Sequence, residues 1–383
     1  MYTEGGGARP DPPTTMRDLI FVSAGFELTG GGRAAAARLF AASCAAYAEE
    51  RRIGFSLLSL GSNGVPAGGV PVRSFGGRQG AMALAVWRRQ LARPPAAYVY
   101  DLLGLARIAA WLPGPLRAPY LVPLYGIEGW QPLRGDRFRA LRNATVRLAI
   151  STYTAERTRE VNPGLGEIAV LPLCLEERQA AGIVDLEILA RAGEGYVLIV
   201  GRMAASERYK GHDQLLAAIA GRPDLRLVVV GDGDDRPRLE RAAAALGLSP
   251  ERAFFTGFVS EATRAELYRR AALFAMPSRG EGFGLVYLEA MRAGKPCLAA
   301  RGGAAAEVVA DGETGLLVDP DDPAELAAAL SRLLDDPEVA RRLGEAGRRR
   351  CETVFTPECF RAGLRPYLDQ LTGADTSDPH VRH

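Results

Sequence analysis

Short apolar runs alternate with longer helical patterns along most of the chain, and this alternation limits the possible folds more than any other feature. The first half contains DLIFVS (18–23) and YLVPLYG (120–126), and the second half contains YVLIVGR (196–202) and LFAMPS (273–278). Strands separated by helices form parallel sheets, because each helix returns the chain to the start of the next strand. The pattern runs twice, which predicts an α/β fold with two Rossmann-like parallel-sheet domains facing each other across a cleft.

The length of 383 residues is sufficient for two domains. The stretch 174–194 interrupts the strand–helix rhythm and is predicted to be the linker. The predicted order is a disordered lead-in at 1–15, an N-terminal Rossmann-like domain at 16–173, the linker, a C-terminal Rossmann-like domain at 195–356, a last helix at 357–371 and a polar tail at 372–383.

Cysteine and histidine usage argues against a metal centre. The five cysteines contain no CxxC pair, and two of the three histidines, His380 and His383, lie in the polar tail. A zinc site or a histidine-based triad is therefore not expected, and the scattered thiols are typical of a reducing compartment. No apolar run approaches the length of a membrane span, and the N-terminus lacks the apolar core of a secretory signal. We therefore expect a cytoplasmic protein without a nucleic-acid partner.

Charge is unevenly distributed. Residues 1–180 carry 21 Arg and Lys against 14 Asp and Glu, whereas residues 181–383 carry 26 against 31. A basic first half would suit an anionic acceptor or peripheral contact with an anionic membrane, and an arginine-rich solvated surface is the simpler interpretation. Lys210 and Lys295 are the only two lysines, so a lysine at a given position is less often there by chance.

The segment EGFGLVYLEA (281–290) follows an apolar run and leads into a helical pattern. Gly282 and Gly284 allow close backbone approach, and a helix that begins there would offer free N–H groups to an anion. From Gly284 to Glu289 a helix rises about 7 Å, roughly the span of a diphosphate. Carboxylates at Glu281 and Glu289 would accept hydrogen bonds from sugar hydroxyls. Taken alone, two carboxylates at this spacing are equally compatible with a loop charge and a solvated helix residue.

A second turn, GRMAASERYKGHDQLL (201–216), places Arg202 after a strand and Lys210 just before a helix. Two cations at one strand–helix turn favour a phosphate site. Two other glycine turns, in 23–36 and 228–240, lack the G-x-G-x-x-G spacing, which argues against a nicotinamide-dependent oxidoreductase.

These segments, in this order, resemble the retaining glycosyltransferases of family four, which have the two-domain GT-B architecture. The matching text runs from 196 to 335 and includes GR…KGHDQLL, VVVGDG…R..LE, FTGFVS, MPSRGEGFGLVYLEAMRAGKPCLA, GG..EVV.DGETGLLV and DP.DPAELA. The first half matches only in its glycine loop, which includes Gly30, and in its strand pattern. The resemblance implies an N-terminal acceptor domain, a C-terminal nucleotide-sugar donor domain, and a last helix that crosses back to the N-terminal domain.

The resemblance also implies roles for individual residues. Arg202 and Lys210 would hold the donor diphosphate, and Glu281 would bind hydroxyls of the transferred sugar. The other implied donor contacts are the backbone of Phe283, Gly284 and Leu285 for sugar and phosphate, Glu289 for the ribose, Phe258 and Val259 for the base, and Gly31 and Gly32 for closure over the phosphates. Family members transfer a sugar from a nucleoside diphosphate to a glycan, a lipid-linked or another acceptor hydroxyl, with retention and typically without metal or other cofactor.

One departure concerns LYGIEGW (124–130), where Tyr125 occupies the position at which the family often has a histidine. A tyrosine hydroxyl can donate to a sugar but carries no positive charge. Glu128 and Trp130 are candidates for the acceptor side, with ordinary loop packing as the alternative. Two further functions stay open, a sugar-nucleotide epimerase of similar shape and a catalytically silent nucleotide-binding partner.

Overall fold

The computed structural model describes residues 18–26, 31–61, 70, 72–92, 97–176 and 182–374. The predicted lead-in (1–15), most of the predicted tail (372–383) and Gly30 of the glycine loop lie outside these residues. Within the described ranges, no helix combines the length and the apolar character that a bilayer crossing requires.

The first sheet has seven parallel strands in the order β3-β2-β1-β4-β5-β6-β7. Its strands are β1 (Asp18–Ser23), β2 (Gly54–Ser59), β3 (Val72–Ser74), β4 (Ala97–Tyr100), β5 (Tyr120–Leu124), β6 (Val146–Ala149) and β7 (Ala169–Val170). The helices of this half are α1 (Gly31–Glu50), α2 (Gln79–Ala92), α3 (Leu103–Ala110), α4 (Gly135–Arg142) and α5 (Thr152–Val161).

The second sheet has six parallel strands in the order β10-β9-β8-β11-β12-β13. Its strands are β8 (Val197–Val200), β9 (Leu227–Val230), β10 (Ala253–Gly257), β11 (Leu273–Met276), β12 (Cys297–Ala300) and β13 (Gly315–Val318). The helices are α6 (Leu186–Ala192), α7 (His212–Ala220), α8 (Arg236–Ala245), α9 (Glu261–Arg270), α10 (Leu285–Arg292), α11 (Ala305–Val308), α12 (Pro323–Leu334), α13 (Pro337–Thr353) and α14 (Pro357–Thr372).

Burial of both sheet faces explains why the strands read as continuous apolar runs. In β1, Leu19 and Phe21 pack into the core that also contains α1, whereas Ile20 and Val22 pack into a second core on the opposite face. All four side chains are fully buried. Parallel sheets are covered by helices on both faces, so alternating polarity is not expected. The prediction of an α/β fold with two parallel sheets is confirmed.

Three local expectations differ from the structure. The edge strand β3 was not predicted, because three residues are too few to show a periodic pattern. The strand expected over 167–173 is only two residues long at β7. The stretch predicted as a linker contains helix α6, whose start is capped by the Asp185 carboxylate accepting from the N–H groups of Glu187 and Ile188, both at 3.0 Å.

The last helix, α14, packs against α1 of the first half. The Phe40 and Phe360 rings meet edge to face at 5.0 Å between centroids. The Tyr47 hydroxyl and Arg51 Nη2 both donate to Oδ1 of the buried Asp369, at 2.8 and 2.7 Å. Burial raises the pKa of Tyr47 to about 12, so its hydroxyl stays a donor at neutral pH. The end of the chain is thus held to the first domain by a buried polar network.

Replacing Asp369 with Ala should destabilise the protein, because Arg51 and Tyr47 would lose their shared acceptor. We expect a loss of about 2–3 kcal/mol, which corresponds to a melting temperature lower by roughly 2–4 °C in a chain of this size. Differential scanning calorimetry measures the shift. The exposed neighbour Gln370→Ala is the matched control, and equal melting temperatures for the two variants would contradict a structural role of this network.

Candidate functional site

The strand order of the second sheet reverses between β8 and β11. These two strands are hydrogen-bonded neighbours although α7, α8 and α9 lie between them in sequence. The carboxyl ends of strands at such a switch point form a crevice where ligands bind in open α/β sheets. Arg202 lies two residues after β8, and Glu281 lies five residues after β11. The fold therefore brings these two predicted site residues to the same crevice.

A chain of alternating charges lines this crevice. Arg202 pairs with Glu207, and Lys210 Nζ lies 3.8 Å from Oε2 of Glu207 and 2.9 Å from Oε1 of Glu281. The Lys210 and Glu281 side chains are each 14% exposed, whereas the Arg202 side chain is 71% exposed. Low exposure strengthens the Lys210–Glu281 attraction, because little water screens it. Arg202 keeps most of its surface free to reach a ligand.

Glu207 is a site residue that the sequence analysis did not single out. It is buried, and it links the two predicted phosphate cations. It belongs to a 3₁₀ segment over Ala205–Lys210 that is kinked at Glu207 itself, where φ is −119° and ψ is 24°. The i, i+3 spacing of Glu207 and Lys210 was the only signal in the sequence, and a surface pair at this spacing is common.

Glycines on both sides of the turn let Lys210 reach the crevice. Gly211 has φ +88°, and a Cβ atom there would lie 2.7 Å from the Pro277 ring at the end of β11. At Gly201, a Cβ atom would lie 3.3 Å from Lys210 Cδ. The lysine side chain thus crosses the backbone at Gly201, and larger residues at these two positions would push the turn away from the β11 loop.

The loop that carries Glu281 contacts the first domain directly. A Cβ atom at Gly282 would overlap the carbonyl oxygen of Tyr125, and would lie 3.5 Å from Cα of Gly126. Gly284 has φ +92° and caps the start of α10. Both glycines were predicted to allow the close approach of a ligand, whereas the close neighbour of Gly282 in this structure is backbone of the other domain.

Three residues predicted to contact the donor, Phe283, Leu285 and Gly31, lie in different surroundings. Phe283 is buried against Phe355, with ring centroids 5.9 Å apart, so its side chain belongs to the core. Leu285 is half-buried and lies 3.8 Å from where a Cβ atom of Gly32 would stand. Gly31 has φ +67° and begins α1. The approach of Gly32 to Leu285 places the start of α1 near the start of α10.

Glu289 lies within α10 and pairs with a residue that the sequence did not suggest. Its Oε2 is 3.1 Å from Nε of Arg264 on α9. Burial raises the pKa of Glu289, and the nearby Arg264 opposes that rise. Its side chain is only 16% exposed, so it is not a solvated helix residue. A ribose bound here would share this carboxylate with Arg264.

The two residues predicted to lie against the base follow β10. Phe258 is 76% exposed, which is unusual for an aromatic side chain, and it directly follows the edge strand β10. Val259 is half-buried. An exposed aromatic surface at the carboxyl end of β10 is available for a ligand.

Tyr125 and Glu128 lie at the carboxyl end of β5 in the first domain. The Glu128 carboxylate accepts from the Tyr125 N–H and is half-buried, and its partial loss of solvation raises its pKa. The Tyr125 hydroxyl is buried, and among the described residues it has no hydrogen-bond partner. Burial raises its pKa well above the usual range, so it stays protonated. Glu128 thus stabilises the turn that follows β5, and the Tyr125 hydroxyl can still donate a hydrogen bond.

Asp101, at the end of β4, is a second residue that sequence reasoning missed. It is fully buried and accepts from the Ser23 hydroxyl at 2.5 Å and from the Ala24 N–H at 3.1 Å. Burial raises its pKa to about 6, with the Ser23 bond opposing the rise. Arg33 Nη1 of α1 is 3.8 Å away. Because β1 and β4 are the switch-point pair of the first sheet, Asp101 supports the first domain's side of the cleft.

No group of three or more His, Cys, Asp or Glu side chains within the described ranges is arranged to hold a metal ion. The single histidine outside the tail, His212, is buried at the start of α7, and burial lowers its pKa to about 4. It is therefore neutral at physiological pH.

Comparisons with known proteins agree with this architecture. The model of the family "Glycosyl transferases group 1" matches residues 187–350. A GDP-mannose-dependent monoacylated alpha-(1-6)-phosphatidylinositol monomannoside mannosyltransferase of Corynebacterium glutamicum is 31% identical over 259 residues, which are 63% of this chain and 67% of that protein. The matched part spans between 35% and 67% of the length of such curated relatives.

Solved structures show the same fold across nearly the whole chain. Sucrose-phosphate synthase of Thermosynechococcus elongatus superposes with a TM-score of 0.73 at 23% identity, covering 94% of this chain and 100% of that one. HepE of Anabaena, solved in complex with UDP and glucose, gives a TM-score of 0.73 at 21% identity, covering 92% and 99%. Two parallel sheets, a charged crevice at the second switch point and these matches lead to one conclusion: the chain belongs to the group 1 glycosyl transferases, with the GT-B fold.

Proposed function

We propose that this protein is a retaining hexosyltransferase of family four, which moves a sugar from a nucleoside-diphosphate sugar to an acceptor hydroxyl without a metal ion. The observation that carries the proposal is the charge chain of Arg202, Glu207, Lys210 and Glu281 at the β8–β11 switch point. It combines two cations for a diphosphate with a carboxylate for sugar hydroxyls. Family membership and the mannosyltransferase relative support the reaction class.

Lys210 can serve the phosphate and Glu281 at the same time. An ammonium group has three donors, and one of them is directed to Glu281 at 2.9 Å. The others remain for phosphate oxygens, together with the exposed guanidinium of Arg202. As the bond between the sugar C1 and the diphosphate breaks, negative charge grows on the leaving group. The little-exposed Lys210 ammonium, together with the exposed Arg202 guanidinium, would stabilise that charge, and this is the role proposed for metal-independent catalysis.

Retention requires the acceptor oxygen to bond C1 on the face from which the diphosphate leaves. In the proposed step, the C1–O bond to the diphosphate breaks, the bond from C1 to the acceptor oxygen forms, and the acceptor proton passes to a diphosphate oxygen. No side chain needs to act as the base, and His212, the single histidine among the described residues, is buried. Glu281 orients the sugar, and Glu289 is proposed to hold the ribose.

The acceptor is proposed to lie on the first domain, opposite Glu281. The buried Tyr125 hydroxyl, which has no partner among the described residues, is a donor for a sugar or acceptor oxygen. Glu128 acts there through the turn it supports, since its carboxylate already accepts the Tyr125 N–H. The acceptor class stays open between a glycan, a lipid-linked and a small-molecule hydroxyl.

Replacing Lys210 with Ala should weaken the binding of a nucleoside diphosphate by about 10- to 100-fold, because a charge-assisted contact with the phosphates is lost. Binding of the free nucleoside should change by less than about threefold. Isothermal titration with uridine, guanosine and adenosine, each compared with its diphosphate, measures both affinities and identifies the base. Lys295→Ala, at the only other lysine, is the control. Equal losses for nucleoside and diphosphate would refute the phosphate role.

Replacing Glu281 with Gln or Ala should lower sugar transfer by at least about 100-fold, a loss typical of removing a group that acts in the transition state. Diphosphate affinity should stay the same or rise, because Lys210 loses a competing partner. Turnover of GDP-mannose and UDP-glucose, with product analysis in the presence and absence of acceptors, separates transfer from epimerisation. Glu338→Gln, at an exposed carboxylate on α13, is the control, and near-normal transfer by Glu281→Gln would contradict the assignment.

Peripheral membrane contact is a second proposal, and it is based on one surface of the first domain. Leu84 and Leu91 lie seven residues apart on one face of α2 and are 45% and 62% exposed, and Trp111 and Leu116 are about half exposed. Arg88 is exposed on the same helix. Apolar side chains beside arginine suit an anionic bilayer surface.

Sedimentation with vesicles tests this contact. The protein should bind vesicles of phosphatidylglycerol and phosphatidylcholine more tightly than neutral phosphatidylcholine vesicles, and Leu91→Asp should weaken that binding by at least about threefold. Leu246→Asp, at an exposed leucine after α8, is the control. Equal binding to both vesicle types would reject membrane contact through this surface.

A further inference from the structure

The N-terminus of α5, in the first domain, is capped in part by a residue of the second domain. The hydroxyl of the N-cap residue Ser151 accepts from the Thr154 N–H at 3.1 Å. The N–H groups of Thr152 and Tyr153 donate to Oε2 and Oε1 of Glu307 on α11, both at 2.8 Å. The first N–H groups of a helix have no acceptor within the helix. Two of those in α5 are satisfied only across the domain boundary.

Charge explains why a carboxylate fits there. The first turn of α5 contains no acidic residue of its own, and a helix N-terminus favours a nearby negative charge. Glu307 supplies that charge with both oxygens, one for each N–H. Its own backbone is held firmly, because Arg350 of α13 donates to the carbonyl oxygens of Glu307 and Val308 at 3.1 and 3.2 Å. The backbone that carries the Glu307 carboxylate is thus held in place by hydrogen bonds within the second domain.

The same helix end reaches the loop that carries Glu281. The buried Ser151 hydroxyl donates to the carbonyl oxygen of Gly282 at 2.8 Å, and the Thr154 hydroxyl donates to it at 3.3 Å. Gly282 directly follows Glu281. A displacement of α5 would therefore remove the support for the peptide next to the sugar-binding carboxylate.

We infer that Ser151 and Glu307 are positioning residues, which couple closure of the two domains to the placement of Glu281. The inference rests on the proposed function for the role of Glu281, and on the observed contacts for the coupling itself. In the closed arrangement, Glu307 holds α5 against the second domain, and Ser151 on α5 holds the Gly282 carbonyl. When the domains separate, both sets of bonds break together, because they share one helix end.

These contacts do not involve Arg202 or Lys210. Loss of the Glu307 carboxylate should therefore shift the balance between open and closed arrangements, while the phosphate cations keep their geometry. Because Arg202 and Lys210 both belong to the second domain, a nucleoside diphosphate that they hold has a similar affinity for the open and the closed arrangement, and its binding depends little on Glu307. The expected signature is a lower rate of transfer with nearly unchanged diphosphate binding.

Hydrogen–deuterium exchange tests the coupling without any turnover. In Glu307→Gln, the amides of Thr152 and Tyr153 should exchange at least about tenfold faster than in the unaltered protein, because a glutamine cannot accept from both N–H groups in the same way. Glu313→Gln, at an exposed carboxylate six residues further along the chain, is the matched control. Equal exchange in both variants would overturn the inference, and a melting temperature within about 3 °C of the unaltered protein shows that Glu307→Gln folds.

Kinetics give the second measurement. For Glu307→Gln we expect kcat for sugar transfer to fall at least about tenfold, with the dissociation constant for the nucleoside diphosphate changed less than about threefold. A kcat equal to that of Glu313→Gln would overturn the coupling to Glu281. If exchange changes as expected but no nucleotide sugar is turned over by the unaltered protein, the contact between the domains stands and the proposed function fails.

Discussion

The ion pair between Lys210 and Glu281 joins chain segments 71 residues apart, and the rest of the candidate site is arranged around it. Its two side chains come from the segments that follow β8 and β11, the strands on either side of the switch point in the second sheet. Opposite charges at 2.9 Å with little solvent exposure hold the β8 and β11 loops together. Only one N–H of the Lys210 ammonium donates to Glu281, so the pair fixes the position of the lysine and leaves other N–H groups for a ligand.

Glycine decides how closely the other elements approach that pair. Gly211 brings the Lys210 turn against Pro277, and Gly282 brings the Glu281 loop against the backbone at Tyr125. A side chain at Gly282 would overlap a carbonyl oxygen of the first domain. The glycine pattern around Glu281 therefore serves contact between the domains in this structure, in addition to any approach by a ligand.

Carboxylates appear repeatedly as partners for cations and helix ends near the cleft. Glu207 pairs with Arg202 and Lys210, Arg264 pairs with Glu289, and Glu307 caps α5. Each such pair must be kept or exchanged when an anionic, hydroxyl-rich ligand enters. The protein thus holds its polar side chains in defined positions before binding, which lowers the cost of ordering them later.

The sequence by itself determined the α/β class, the two parallel sheets, and the location of Arg202, Lys210 and Glu281 in turns after strands. Periodicity and glycine spacing are local properties, so they can be read along the chain. Only the tertiary structure decided the partners Glu207, Arg264, Asp101, Ser151 and Glu307. Asp101 and Glu307 act on groups 78 and 155 residues away, and such contacts exist only once strand order and domain packing bring the segments together. Short elements such as β3 and α6 were also not predicted from the sequence, because they contain too few residues to show a periodic pattern.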